Sequence, residues 1–123
     1  MRDHRGFTLI EVLVVIVLVG VLAGLAISQY ASYRARSYDG KVAAAVRGVA
    51  TSEEAYYAEK REYAPNVMAL RTMATGDVTI AITAGNSGTL GTSFKIVGTH
   101  PSATRSFTWV SDPNPGQPNL LEN

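Results

Sequence analysis

Cysteine is absent from the 123 residues, which excludes both a disulfide staple and a thiolate metal site. Any globular part must therefore hold by packing within the chain or against neighbours. Proline is absent before Pro65, so nothing in the first half forces a helix to stop. Charged residues make up only 17% and nearly balance, for a formal net charge of +1. Such a chain offers no electrostatic case for nucleic acid as its main partner. Histidine is limited to His4 and His100, and His100 sits in the turn-rich stretch Gly98-Thr99-His100-Pro101-Ser102 without an acidic or cysteine neighbour. Gly85, Gly88 and Gly91 are not followed by Gly-Lys-Ser/Thr, so they read as a flexible hairpin connection and not as a phosphate loop. No catalytic constellation, cofactor site or metal site is expected, and the chain does not read as an enzyme.

What the chain does have is one long apolar run. Residues 12–33 carry no formal charge, and residues 12–27 are Val, Leu, Ile, Ala and Gly only. That is long enough to cross the hydrocarbon core of a bilayer as a helix. Met1-Arg2-Asp3-His4-Arg5-Gly6 precedes it, and one carboxylate, Glu11, interrupts its start. A lone ionisable group at the edge of such a helix is costly and points to a function with a partner. Snorkelling to the headgroups is the bland alternative.

Gly6-Phe7-Thr8-Leu9-Ile10-Glu11-Val12 resembles the amino-terminal signature of type IV pilins and of the pseudopilins of type II secretion. The resemblance covers about residues 5–33. It implies a leader of residues 1–6, removed by a prepilin peptidase that cuts between Gly6 and Phe7 and methylates the new amine of Phe7. Glu11 then lies four positions beyond that amine, on the same helical face. It can pair with its own amine or with that of an adjacent subunit. The second arrangement turns an expensive group into a register signal between apolar helices that otherwise slide. The chain departs from the family pattern at Ser28, where many relatives have proline, and in lacking the disulfide that many pilins carry. Arg2, Arg5, the apolar core and Ala26-Ile27-Ser28 also fit an ordinary secretory signal releasing a domain that starts at Gln29. That alternative leaves Glu11 unexplained.

Gly20, Gly24 and Ser28 recur every four residues, a spacing that lets helices approach closely. Beyond them the pattern turns amphipathic. Tyr38, Val42, Ala45, Val49, Ser52 and Tyr56 form one stripe, which predicts a helix from Phe7 to about Glu62 whose second half is covered by the rest of the chain. Glu53, Glu54, Glu59 and Glu62, interleaved with Arg47, Lys60 and Arg61, read as a solvated, salt-bridged face. Tyr63-Ala64-Pro65-Asn66 predicts a turn, with Asn66 capping a short helical piece over residues 67–70. Alternation over residues 78–82, 93–96 and 106–110 predicts three strands in an antiparallel meander. Val78, Ile80, Ile82, Phe94, Ile96, Phe107 and Trp109 would face the helix. The tail from Asp112 to Asn123 holds three prolines and is expected to be irregular and exposed.

The expected architecture is α+β: a long amino-terminal helix, transmembrane in its first half, packed by a small antiparallel sheet. It divides into a leader (1–6), an assembly helix (7–33), its amphipathic continuation (34–62), a β-meander (63–111) and a tail (112–123). The resemblance implies a structural subunit of a type IV pilus, with a pseudopilin or minor pilin as the near alternative. Its implied partners are its own copies, the prepilin peptidase and the pilus assembly machinery. Its implied place is the inner membrane, then an extracellular filament or periplasmic pseudopilus. A membrane-tethered periplasmic binding module would share the hydropathy without needing Glu11.

Overall fold

The computed structural model describes residues 6–70 and 76–123. A single α-helix, α1 (Leu9–Lys60, 52 residues), occupies most of the first half. It is two residues shorter at each end than the spacing predicts. At its carboxyl end Arg61 takes a left-handed conformation, φ 62°, and donates its N–H to the Tyr57 carbonyl at 2.8 Å. The helix therefore closes on an arginine in the position glycine usually fills, four residues before Pro65 could act.

By its internal contacts the chain divides after Arg34 into two compact units. The first carries the apolar stretch of α1, whose large side chains are exposed along its whole length. In the second, Ala35–Asn123, α1 buries Val42, Ala43, Val46, Val49, Ala50 and Glu53. The expected stripe is thus only partly right: Val42 and Val49 are buried, whereas Tyr38, Ala45, Ser52 and Tyr56 are half-buried. The buried line is rotated toward Val46.

Gly98 explains the rotation. Expected in a turn, it lies inside strand β2, where an added methyl would collide with Val46, meet Val42 at 3.0 Å and Ile80 at 3.3 Å. Its missing side chain lets the two valines of α1 seat directly on the strand. Close backbone approach is the second use of glycine, and within a strand it is the one that fits.

After α1 the chain turns through Ala64 and makes one turn of 3-10 helix, Val67–Leu70. Asn66 caps that turn as its sequence predicts, accepting the Ala69 N–H at 3.1 Å. Four strands follow: β1 (Thr79–Ala84), β2 (Phe94–Thr99), β3 (Phe107–Val110) and β4 (Leu120–Glu122). They form one antiparallel sheet in the order β1-β2-β3-β4. The register sets Ile96 opposite Trp109 and Trp109 opposite Leu120. Phe94 and Ile96 are fully buried, Phe107 nearly so, and Ile80, Ile82, Trp109 and Leu120 pack partly buried against them.

The fourth strand lies in the tail that composition alone makes irregular. Its prolines are confined to the connection before it, at 113, 115 and 118. Leu120 and Leu121 then supply apolar side chains, and the edge of β3 supplies unpaired backbone groups. The Val110 N–H donates to the Asn119 carbonyl at 2.8 Å, and Ser106 and Asn123 exchange two backbone bonds at 3.0 Å.

Three further expectations are corrected. The connection between β1 and β2 is tied down, not flexible. The Asp112 carboxylate accepts the N–H groups of Asn86 (3.0 Å) and Ser87 (2.7 Å), and the Ser87 hydroxyl bonds those of Thr92 and Ser93. Burial works to raise the Asp112 pKa, but those N–H donors and the Ser93 hydroxyl together hold it below the ordinary range. His100 does have acidic company. Its Nε2 donates to Asp77 at 2.9 Å, its Nδ1 accepts the Ser102 N–H at 2.9 Å, and its ring stacks on Tyr38 with centroids 4.5 Å apart. Asp77 also accepts from Lys41 at 2.8 Å, and these two donors hold its carboxyl far below the usual range. Glu53, finally, is not on a solvated face. It is fully buried.

Candidate functional site

Thr8 and Glu11 build the start of α1. The Thr8 N–H and hydroxyl both donate to Glu11 Oε2 at 2.8 Å, and the Glu11 N–H donates back to the Thr8 hydroxyl at 3.3 Å. This is a reciprocal capping box, with Thr8 at the N-cap and Glu11 three residues on, and it satisfies N–H groups that a helix start leaves orphaned. Phe7 sits just outside the helix and lines a shallow apolar cleft with Glu11, Val12 and Val15. A hydrophobic residue before the cap that packs toward the first turn fixes how the chain enters the helix.

Phe7 and Glu11 thus share a side of the chain, as the helical spacing predicts, although Phe7 is not itself helical. Their pairing through a freed amine is not part of this geometry. Thr8 is the residue that sequence reasoning missed, and the signal was present: Thr-x-x-Glu ahead of an apolar run is the capping-box signature. Leader residues 1–5 lie outside the described residues, and Gly6 is exposed.

Behind this cap, apolar side chains stand in solvent. Phe7 is 89% exposed, Val12 52% and Leu25 66%, with no intervening Val, Leu or Ile buried. Monomeric soluble proteins rarely carry apolar patches beyond a few hundred Å². A surface of this extent needs a bilayer or other helices over it. α1 is long and apolar enough to cross a membrane. Gly20 and Gly24 have open space where a side chain would project, and Ser28 is likewise exposed. Among the described residues no three of His, Asp and Glu gather to hold a metal ion.

Residues 1–27 match the prokaryotic N-terminal methylation motif. A type IV major pilin of Myxococcus xanthus is 33% identical over 60 residues, 49% of this chain and 27% of that protein. A fimbrial protein of Pseudomonas aeruginosa is 37% identical over 62 residues, 50% of this chain and 40% of that one. By its amino-terminal segment the chain is similar to type IV pilins and carries their methylation motif. The likeness to those two relatives spans less than half of their lengths. The type IV wide pilus major component of Thermus thermophilus is 28% identical over 112 residues, 91% of this chain and 86% of that one. The pilin-like α+β architecture, one long amino-terminal helix with an apolar first half and a four-stranded antiparallel sheet, agrees with that likeness.

Proposed function

We propose that this chain is a structural subunit of a type IV pilus. A prepilin peptidase cuts it between Gly6 and Phe7 and methylates the Phe7 amine. The inner membrane holds it by α1 until the assembly machinery polymerises it, and copies of α1 then cover one another in an extracellular filament. The observation that carries this reading is the exposed apolar stretch of α1 that lies within a methylation motif. A bilayer covers that surface before assembly, and sister helices cover it afterwards.

Glu11 has a role in both states. In the uncut chain its carboxylate is satisfied by Thr8. After cleavage the Phe7 amine offers it a counter-charge, its own or a neighbour's. If a neighbour's amine is used, each subunit is registered against the next. Gly20, Gly24 and Ser28 would then be the places of closest helix approach.

The test is filament yield. Shear-released filaments should contain this chain as their bulk component. Glu11→Ala should express, insert and be cut normally, yet give few or no filaments, because it leaves a buried amine uncompensated in every subunit. Removing one partner of a buried pair typically costs about 3–5 kcal/mol. Glu11→Gln should rescue only partly, since the amide keeps hydrogen bonding without charge. Wild-type yield from Glu11→Ala would overturn the pairing mechanism.

A further inference from the structure

Val42, Val46 and Val49 form an apolar seam on α1, and the next place in that seam belongs to Glu53, which is equally buried. Its Oε2 accepts the Ala64 N–H at 2.8 Å, and its buried Oε1 has no hydrogen-bond partner among the described residues. One neutral donor cannot compensate a full negative charge in such surroundings. Among the described residues, the titratable groups around it are Glu54 and Tyr57 from its own helix and Tyr63 from the turn. Tyr63 stacks on Tyr57 and leans on Phe94 of β2, each at 4.6 Å between centroids. Lys95, the neighbouring cation on β2, alternates to the other face of the sheet. Glu54, Tyr57 and Tyr63, the titratable groups on its own side, are all acids.

Ala64 is itself fully buried and begins the segment that carries Asn66, the 3-10 turn and buried Leu70. The Glu53 carboxyl is thus the polar tie between the helix seam and the returning chain. We propose that Glu53 is a pH-responsive lock, protonated in the folded chain, that fastens residues 61–70 to α1 and loosens them when it ionises. The lock rests on the fold of the second unit and is independent of the filament reading.

The sign follows from linkage. Burial pushes the Glu53 carboxyl up, more than the Ala64 N–H pulls it down, and Glu54 adds to the push. A group whose pKa is raised on folding gives stability that is complete below its unfolded pKa and is lost as pH rises through its folded one. Asp39, Asp77 and Asp112 are shifted the opposite way, so their contributions are lost only as pH falls below the ordinary aspartate range. The two windows lie on opposite sides of mildly acidic pH.

The experiment is NMR of the full chain in detergent micelles between about pH 4 and pH 8, reading the Glu53 side-chain carboxyl carbon and the exchange protection of the Ala64 amide. The carboxyl should titrate above the free-glutamate value of about 4.3, with Ala64 protection falling through the same pH step. That fall should reach about tenfold for each unit by which the carboxyl is displaced, after correction for intrinsic exchange. In Glu53→Gln the protection should stay flat across the range. A carboxyl that titrates at or below the free-glutamate value overturns the proposal, as does Ala64 protection that ignores the titration. Both readings come from the wild-type chain, so they decide the matter even if the variant fails to fold.

Discussion

Arg61 and Gly98 hold opposite versions of one problem, the fit between a residue and its backbone environment. Arg61 occupies a left-handed conformation that costs an ordinary residue about 1–2 kcal/mol, while glycine adopts it freely. Arg61→Gly should therefore raise stability by about 0.5–1 kcal/mol, part of the relief being offset by the greater freedom of glycine in the unfolded chain. Thermal unfolding of the detergent-solubilised chain measures it, and a lowered midpoint would show that the arginine side chain contributes more than its backbone costs. At Gly98 the substitution runs the other way. A methyl group has no room between β2 and the valines of α1, so Gly98→Ala should lower stability by about 1–3 kcal/mol through overpacking. An unchanged midpoint would mean that helix and sheet separate without loss.

Among the elements, the sheet earns its stability from β2. Phe94 and Ile96 are fully exposed to the core and closed to solvent, while Trp109, opposite Ile96 on β3, is only half-buried. Phe94→Ala should cost about 3–5 kcal/mol, the usual range for a buried aromatic. Trp109→Ala should cost less, and urea denaturation of both variants ranks them. A larger loss at Trp109 would place the centre of the core on β3. On the acid side, Asp112→Asn should reduce the loss of stability seen as pH falls below the ordinary aspartate range. The native carboxylate must be protonated there against the N–H groups that hold it.

These elements also show what a sequence discloses. The first three strands were legible because their apolar residues alternate, and the 3-10 turn because Asn66 stands at its cap. The fourth strand was not, because Leu120 and Leu121 are a short doublet among prolines and acquire meaning only beside the edge of β3. Glu53 was misread because charge patterning counts glutamates and cannot see which one a returning turn will cover. Gly98 was misread because glycine signals both turns and close approach, and only the partner helix tells them apart. At the amino terminus the motif singled out Phe7 and Glu11, which line one apolar cleft. The link between Glu11 and Thr8 was written in their spacing too, but a carboxylate considered only for its charge hides its role as a cap.

For the molecule as a whole, a small cysteine-free domain follows an apolar helical stretch whose large side chains are exposed. The proposed filament role rests on where that helix begins in the mature protein, since a free amine at Phe7 would give Glu11 a partner beyond its own cap. The most direct test is mass spectrometry of the amino-terminal peptide from filaments sheared off cells. The result expected is a chain that starts at Phe7 with one added methyl group on its amine, accompanied by an uncut precursor when Gly6→Val is expressed. A mature chain that starts at Gln29 would make the apolar run a discarded secretory signal and contradict the account at its root.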